Sequence, residues 1–303
     1  MKKILVIAAM LISALIMGCG GSGSGGGIAY LNFDDSDVFV NIIKTEFEKG
    51  ASAKGLNVEY FDAKGDINVQ IDQMKSVIAS GTKVIVLVAA DGKLIVPTVE
   101  QANEAGITII TINRAIAGGE HLEVFSDEAE AGKMQAQYLA TTLPPNAQIV
   151  YLEGEGNQKN AIQRWEGFSK EVSSKRADVK ILDMQPASWS KVEAMKIMVQ
   201  WLSLYPKIDA VVCGNDQMAF GAIAALKAAN RLQGCQVTGV DAVDDALKAM
   251  AAGEMVQTIK QDAAAQGAGA VDLAASALNG QKPSNLNVPF VSITKDNLSK
   301  FMK

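Results

Sequence analysis

The chain holds one histidine, His121, and three cysteines among 303 residues. No His/Cys cluster at metal-ligand spacing can be assembled from so few, so neither a metal nor a cofactor is expected. His121 follows Gly118-Gly119-Glu120 in an expected loop, where a lone imidazole is ordinarily solvated. Nucleotide signatures are missing too. Gly154-Glu155-Gly156 followed by Lys159 falls short of a dinucleotide fingerprint, and there is no Walker sequence. No nucleophile elbow occurs, and no nucleophile–base pair can be named, so an enzyme is not expected. Net charge is −5. That excludes the basic field that holds nucleic acid.

What is abundant is small and aliphatic. Apolar residues make up 49% of the chain while aromatics supply only 6%, which suits helices packed closely on parallel strands. The N-terminus reads as a processing signal. Lys2 and Lys3 precede an apolar run, Ile4 to Met17, broken only by Ser13 and too short to span a membrane comfortably. The run ends at Leu15-Ile16-Met17-Gly18-Cys19, which resembles a bacterial lipobox, with Cys19 as the lipidated residue. Residues 1–19 are thus the expected lipoprotein signal and anchor. Residues 20–27, GGSGSGGG, read as a tether without side chains to pack.

Beyond the tether, β-branched runs alternate with helical periods. The first strands are expected at Ile28–Phe33, Val58–Phe61, Val84–Val88 and Ile107–Ile112. Between them Phe39, Ile43 and Phe47 form one apolar stripe, and Ile67, Ile71, Met74 and Ile78 another. The pattern restarts with strands at Ile149–Leu152, Val179–Met184, Ala210–Cys213, Val237–Val240 and Val256–Ile259. Such alternation implies parallel sheets with right-handed crossovers, here two doubly wound α/β domains. Cys213 and Cys235 would sit at opposite ends of neighbouring strands, roughly 10 Å or more apart, so two free buried thiols are expected.

Polar residues recur just after the strands, where open α/β sheets bind ligands. Asp34, Asp35 and Asp37 follow the first, Asn113 and Arg114 the fourth, Asn215 and Asp216 the Cys213 strand. Asp241 and then Gln261 and Asp262 follow the next two, and Arg164 lies in the helix after Ile149–Leu152. Arginine offers a fork of donors, Asp accepts, and Asn and Gln do both, which is the set a polyol needs. Each residue alone has a plainer reading: Asn215 or Asp241 as a helix N-cap, Arg164 as a surface ion pair, Trp165 and Trp201 as packing. The repetition at strand end after strand end favours the binding reading.

Four stretches carry a resemblance. They are Ile112-Asn113-Arg114; Ala161-Ile162-Gln163-Arg164 with Gly167-Phe168; Cys213-Gly214-Asn215-Asp216-Gln217-Met218-Ala219; and Thr238-Gly239-Val240-Asp241-Ala242. Together they resemble the type I periplasmic binding proteins for monosaccharides, from Ile28 to about Lys300. The resemblance implies Phe39 and Trp189 over the two faces of a sugar ring, and Arg164 forked onto its oxygens. Asn215, Asp241 and Gln261 would be hydrogen-bonding positions. Asn113, Arg114 and Asp37 fall where ribose or galactose/glucose binders carry contacts. Gln158 and Asn160 stand where the galactose/glucose type has His and Asp, and the calcium loop of that type is missing at Thr141 to Asn146.

The resemblance also implies a three-segment hinge near Ser126/Asp127, Gln261/Asp262 and Phe290/Val291. The N-terminal lobe would be residues 28–126 plus 262–290, the C-terminal lobe 127–261 plus 291–303. It further implies a monomer that hands a monosaccharide, a hexose before ribose or inositol, to a membrane ABC permease with its cytoplasmic ATPase. A chemoreceptor is the alternative partner. A repressor effector domain would need a DNA-binding head where the signal stands. The protein would face the periplasm or the cell exterior on a lipid anchor. Cys19→Ala is expected to abolish acylation and release the protein from membranes. Fatty-acid labelling of the variant as strong as that of the parent would refute the anchor.

Overall fold

The computed structural model describes residues 27–302, so Cys19 and the rest of the N-terminal signal lie outside the described residues. The first run is β1 (Ile28–Asn32), α1 (Val38–Ala53), β2 (Val58–Asp62), α2 (Ile67–Ser80), β3 (Val84–Leu87), α3 (Val96–Glu104), β4 (Thr108–Ile112) and β5 (Leu122–Phe125). The second comprises α4 (Glu128–Thr142), β6 (Gln148–Glu153), α5 (Lys159–Lys175), β7 (Lys180–Pro186), α6 (Lys191–Leu204), β8 (Ala210–Cys213), α7 (Asp216–Ala228), β9 (Gln236–Asp241), α8 (Asp244–Ala251) and β10 (Gln257–Lys260). Then come α9 (Ala263–Leu278), β11 (Leu286–Asn287) and β12 (Val291–Thr294).

Two six-stranded sheets result, ordered β2-β1-β3-β4-β5-β11 and β7-β6-β8-β9-β10-β12. All pairings are parallel except β12 against β10. The fold is therefore two doubly wound α/β units, as the alternation of strand and helix implies. Central strands such as β3 (VIVL) and β8 (AVVC) are buried along their whole length, because helices cover both faces. The edge strand β2 (VEYFD) has no fully buried residue. The chain passes between sheets three times: from β5 to α4, from β10 to α9, and from β11 to β12.

Helix starts explain much of the polar patterning. Side chains of Asp37, Asp66, Asp127, Ser190, Asn215 and Asp262 accept backbone N–H bonds at the starts of α1, α2, α4, α6, α7 and α9. Helices α1 and α9 cover one face of the first sheet, where Phe39, Ile43 and Phe47 join Val271 and Ala274 in one core. In α2 the buried line is Gln70, Met74 and Val77, and Ile67, Ile71 and Ile78 pack only at its margin. The reason is Gln70: its amide donates to the Val88 carbonyl (2.9 Å) and accepts from the Ala90 N–H (2.7 Å), so a fully buried polar residue ties α2 to the end of β3.

Other expectations shift. β5 was not among the expected strands, since Leu-Glu-Val-Phe is too short and too mixed to stand out. His121 is not solvated: its side chain is 14% exposed, with Nδ1 2.8 Å from the Gly119 carbonyl. Gly27 ends the glycine tract inside the fold, its carbonyl accepting from the amides of Lys83 and Val84. Cys213 and Cys235 are free and buried. No described helix is long and apolar enough to cross a membrane.

Helices α4 and α5 approach at backbone contact through two glycines. A Cβ on Gly132 would lie 1.8 Å from the Arg164 carbonyl oxygen, and one on Gly167 would lie 2.0 Å from that of Ala129. Alanine is the better helix former by about 1 kcal/mol. Backbone overlap outweighs that preference, so Gly167→Ala is expected to destabilise by on the order of 1–3 kcal/mol. Denaturant titration checks it, and a stability gain would refute the close approach.

Candidate functional site

The carboxyl ends of both sheets face one cleft, partly open to solvent, whose empty space including its open mouth is about 350 Å³. It lies where each strand order reverses, at β1/β3 and at β6/β8. The first lobe contributes Asp37 and Phe39 from the start of α1, and Asn113 and Arg114 from the end of β4. The second contributes Gln158, Asn160 and Arg164 at the start of α5, Trp189 after β7, Asn215 after β8 and Asp241 ending β9. Gln261 enters from the crossing after β10. All eleven candidate positions are thus neighbours around one space. Val40, which sequence reasoning missed, also lines it. Asp34, Asp35 and Asp262 do not. Asp34 and Asp35 serve the turn after β1, Asp35 pairing with Lys44 at 2.5 Å, and Asp262 caps α9.

Several of these residues do two things. Asp37 caps α1 through Val40 N–H (2.9 Å), and Asn215 caps α7 through Met218 N–H (2.9 Å), so capping and lining the cavity are not alternatives. Asp241 caps nothing: α8 begins at Asp244 with Val243 as its N-cap and no side-chain cap bond. Its carboxyl is pushed well up by burial, then by the neighbouring Asp216 charge. Burial also raises Asp37.

The two arginines differ. Arg164 is 3% exposed, and its Nε donates to Glu128 Oε2 (2.6 Å), one terminal nitrogen to the Gly214 carbonyl (2.6 Å) and the other towards Gln261 Oε1 (3.4 Å). Glu128 was not anticipated. An acidic residue in the first turn of a helix reads as a dipole partner, and only the fold brings Arg164 to it. Arg114 has no carboxylate at ion-pair distance among the described residues. Its guanidinium lies 3.4 Å from the Phe33 ring centre and makes one long bond, 3.4 Å, to the Ala89 carbonyl. Most of its five N–H donors therefore have no protein partner. Gln261 Nε2 is likewise buried without one.

Trp189 is held by its backbone and its neighbours. Ser188 (φ 50°) and Trp189 (φ 58°) both occupy the left-handed region. The indole covers Gly154, where a Cβ would sit 2.1 Å from the ring. Its Nε1 donates to Gln158 Oε1 (3.0 Å), and the Arg164 guanidinium lies 5.4 Å from the ring centre. Gln158 also bonds Glu155. Asn113 (φ 65°) and Asp241 (φ 117°) share this strained backbone, which costs on the order of 1–3 kcal/mol per residue. No group of His, Cys, Asp and Glu among the described residues could hold a metal ion.

The periplasmic binding protein domain matches residues 28–282. The chain belongs to that family. A Rhizobium meliloti protein named for rhizopine binding is 32% identical over 278 residues, 89% of each chain. A Caulobacter myo-inositol binding protein, solved with myo-inositol bound, superposes with a TM-score of 0.88 at 27% identity, covering 92% of this chain and 96% of that one. An ABC transporter solute binding protein from Bacillus halodurans C-125, also with bound myo-inositol, gives 0.87 at 30% identity over 92% and 98%. This periplasmic binding protein is thus a binder and not an enzyme.

Glu128→Ala would leave Arg164 buried without its counter-charge. Breaking one partner of a buried pair costs about 3–5 kcal/mol. A fall of that size in unfolding free energy is expected by denaturant titration, and a change below about 1 kcal/mol would show that the pair is solvated.

Proposed function

We propose that this periplasmic binding protein captures one neutral, six-membered ring polyol, a cyclitol or a hexopyranose, in the cavity between its lobes. One observation carries the reading. Arg114 and Gln261 keep buried donors without protein partners on a cavity that also presents Asp37, Asp241, Asn113, Asn160 and Asn215. Every ring hydroxyl both donates and accepts, so it needs such a mixed shell. Phe39 and Trp189, one from each lobe, supply apolar faces for ring C–H groups. The myo-inositol bound in two structural neighbours supports a six-membered polyol ring. Asn113 and Asn160 can donate where a carboxylate would only accept.

Binding at the meeting of two lobes favours a closed state through contacts that both lobes share. The closed form is the species that docks on an ABC permease in the membrane. Cys19, outside the described residues, would tether the protein by lipid to a membrane, facing the periplasm or the cell exterior.

Calorimetry against myo-inositol, galactose, glucose, ribose and xylose tests the ligand class. Arg114→Ala is the informative variant, because it orphans no carboxylate. Charge-assisted bonds are worth about 1.5–3 kcal/mol each, so binding should weaken tenfold or more with little change in stability. If none of the five compounds bound while an amino acid or a nucleoside did, the polyol reading would fall.

A further inference from the structure

Asp241 does not reach the cavity on an ordinary strand end. It sits at φ 117° and Ala242 follows at φ 57°, two consecutive side-chain-bearing residues in a backbone region that suits glycine. Something must hold this turn, and α8 does not, since its N-cap makes no side-chain bond. Three hydrogen bonds from beneath do. The Ala242 N–H donates to Thr258 Oγ1 (3.1 Å). The Val243 N–H donates to Asp216 Oδ2 (3.0 Å). The Thr258 hydroxyl donates to Asp216 Oδ1 (2.7 Å), which orients its lone pairs towards the Ala242 amide. Asp216 and Thr258 are both 0% exposed. Neither lines the cavity.

We infer that Asp216 is a positioning residue for ligand binding: with Thr258 it clamps the left-handed Asp241–Ala242 turn and so aims the Asp241 carboxylate into the cavity. This rests on the proposed function only in taking Asp241 as a ligand contact. Several features agree with the clamp. Asp216 opens α7, where the helix N-terminus favours a carboxylate over a neutral group. Both its oxygens are spent on the clamp, on Thr258 and Val243. Gly239, on the strand that ends in Asp241, leaves room for it: a Cβ there would meet Asp216 Oδ1 at 2.3 Å. Burial pushes the Asp216 carboxyl up from the usual carboxylate range. An aspartate isolated there would be replaceable by a neutral side chain. An aspartate that accepts two bonds is not, because Asn offers one accepting oxygen: it either faces the Val243 N–H with a donor or reverses the bond to Thr258, which then no longer orients that hydroxyl by its own proton.

The test is a double-mutant cycle in the full chain. Asp216→Asn and Thr258→Val are each made alone and with Asp241→Asn. Affinity for myo-inositol is measured by calorimetry, and hydrogen exchange of the Ala242 and Val243 amides by NMR. Asp216→Asn and Thr258→Val should each weaken binding about tenfold when Asp241 is present, and less than about twofold when it is Asn. Thr258→Ser, which keeps the hydroxyl, should bind as the parent does. Exchange at both amides should speed up in Asp216→Asn with Asp241 intact. Equal losses in both backgrounds would overturn the inference, since Asp216 would then act by some route other than Asp241. So would unchanged exchange at the two amides. If Asp241→Asn alone leaves binding untouched, the ligand reading of Asp241 is what fails. The clamp is then decided by exchange: faster exchange upholds it and unchanged exchange overturns it.

Discussion

The buried guanidinium of Arg164 is the interaction on which the rest of the cavity depends. It cannot sit 3% exposed without a counter-charge and acceptors. Its three partners come from three places: Glu128 from just after the first crossing between sheets, Gln261 from the second crossing, and the Gly214 carbonyl from the end of β8. One side chain thus registers both crossings against the second sheet. Such a pair adds little net stability, because desolvation offsets most of the attraction. Its effect is geometric. It places one remaining face of the arginine on the cavity and sets where the lobes meet.

Strain around the cavity follows a second logic. Left-handed residues elsewhere, Lys64, Asn146 and Asn230, are turn positions at element ends. Around the cavity the same backbone occurs at Asn113, Ser188, Trp189, Asp241 and Ala242. A tryptophan or an alanine gains nothing from that region, so packing and hydrogen bonds must hold it there. Trp189 is fixed by the flat contact with Gly154 and the bond to Gln158. The Asp241 turn is fixed from below by Thr258 and Asp216. Rigid sheets make this possible: loops at strand ends inherit their positions from fully paired strands.

Binding chemistry and fold support one another through the doubly wound order. Parallel strands bring all their carboxyl ends to one edge of a sheet, and two such sheets facing each other collect polar loop residues from seven segments into one space. Polar residues just past strand ends therefore mark the cavity in the sequence itself. Distance from the strand does not by itself decide which residues line it: Asp262, two residues past β10, turns to cap α9, whereas Asp37, five past β1, both caps α1 and lines the cavity.

Period and composition alone determined the alternation of strand and helix, the parallel sheets and the apolar stripe of α1. These follow from local pattern, since burial on both faces leaves nearly unbroken aliphatic runs. Tertiary structure decided the rest. β5 became a strand only because β4 and β11 flank it. Gln70 displaced isoleucines from the centre of α2 because the end of β3 offered it two partners. Glu128 found Arg164 across 36 residues, and Asp216 found Thr258 across 42. A buried charge or a strained turn is stable only with partners from distant segments, and no local pattern in a single sequence records which segments those are.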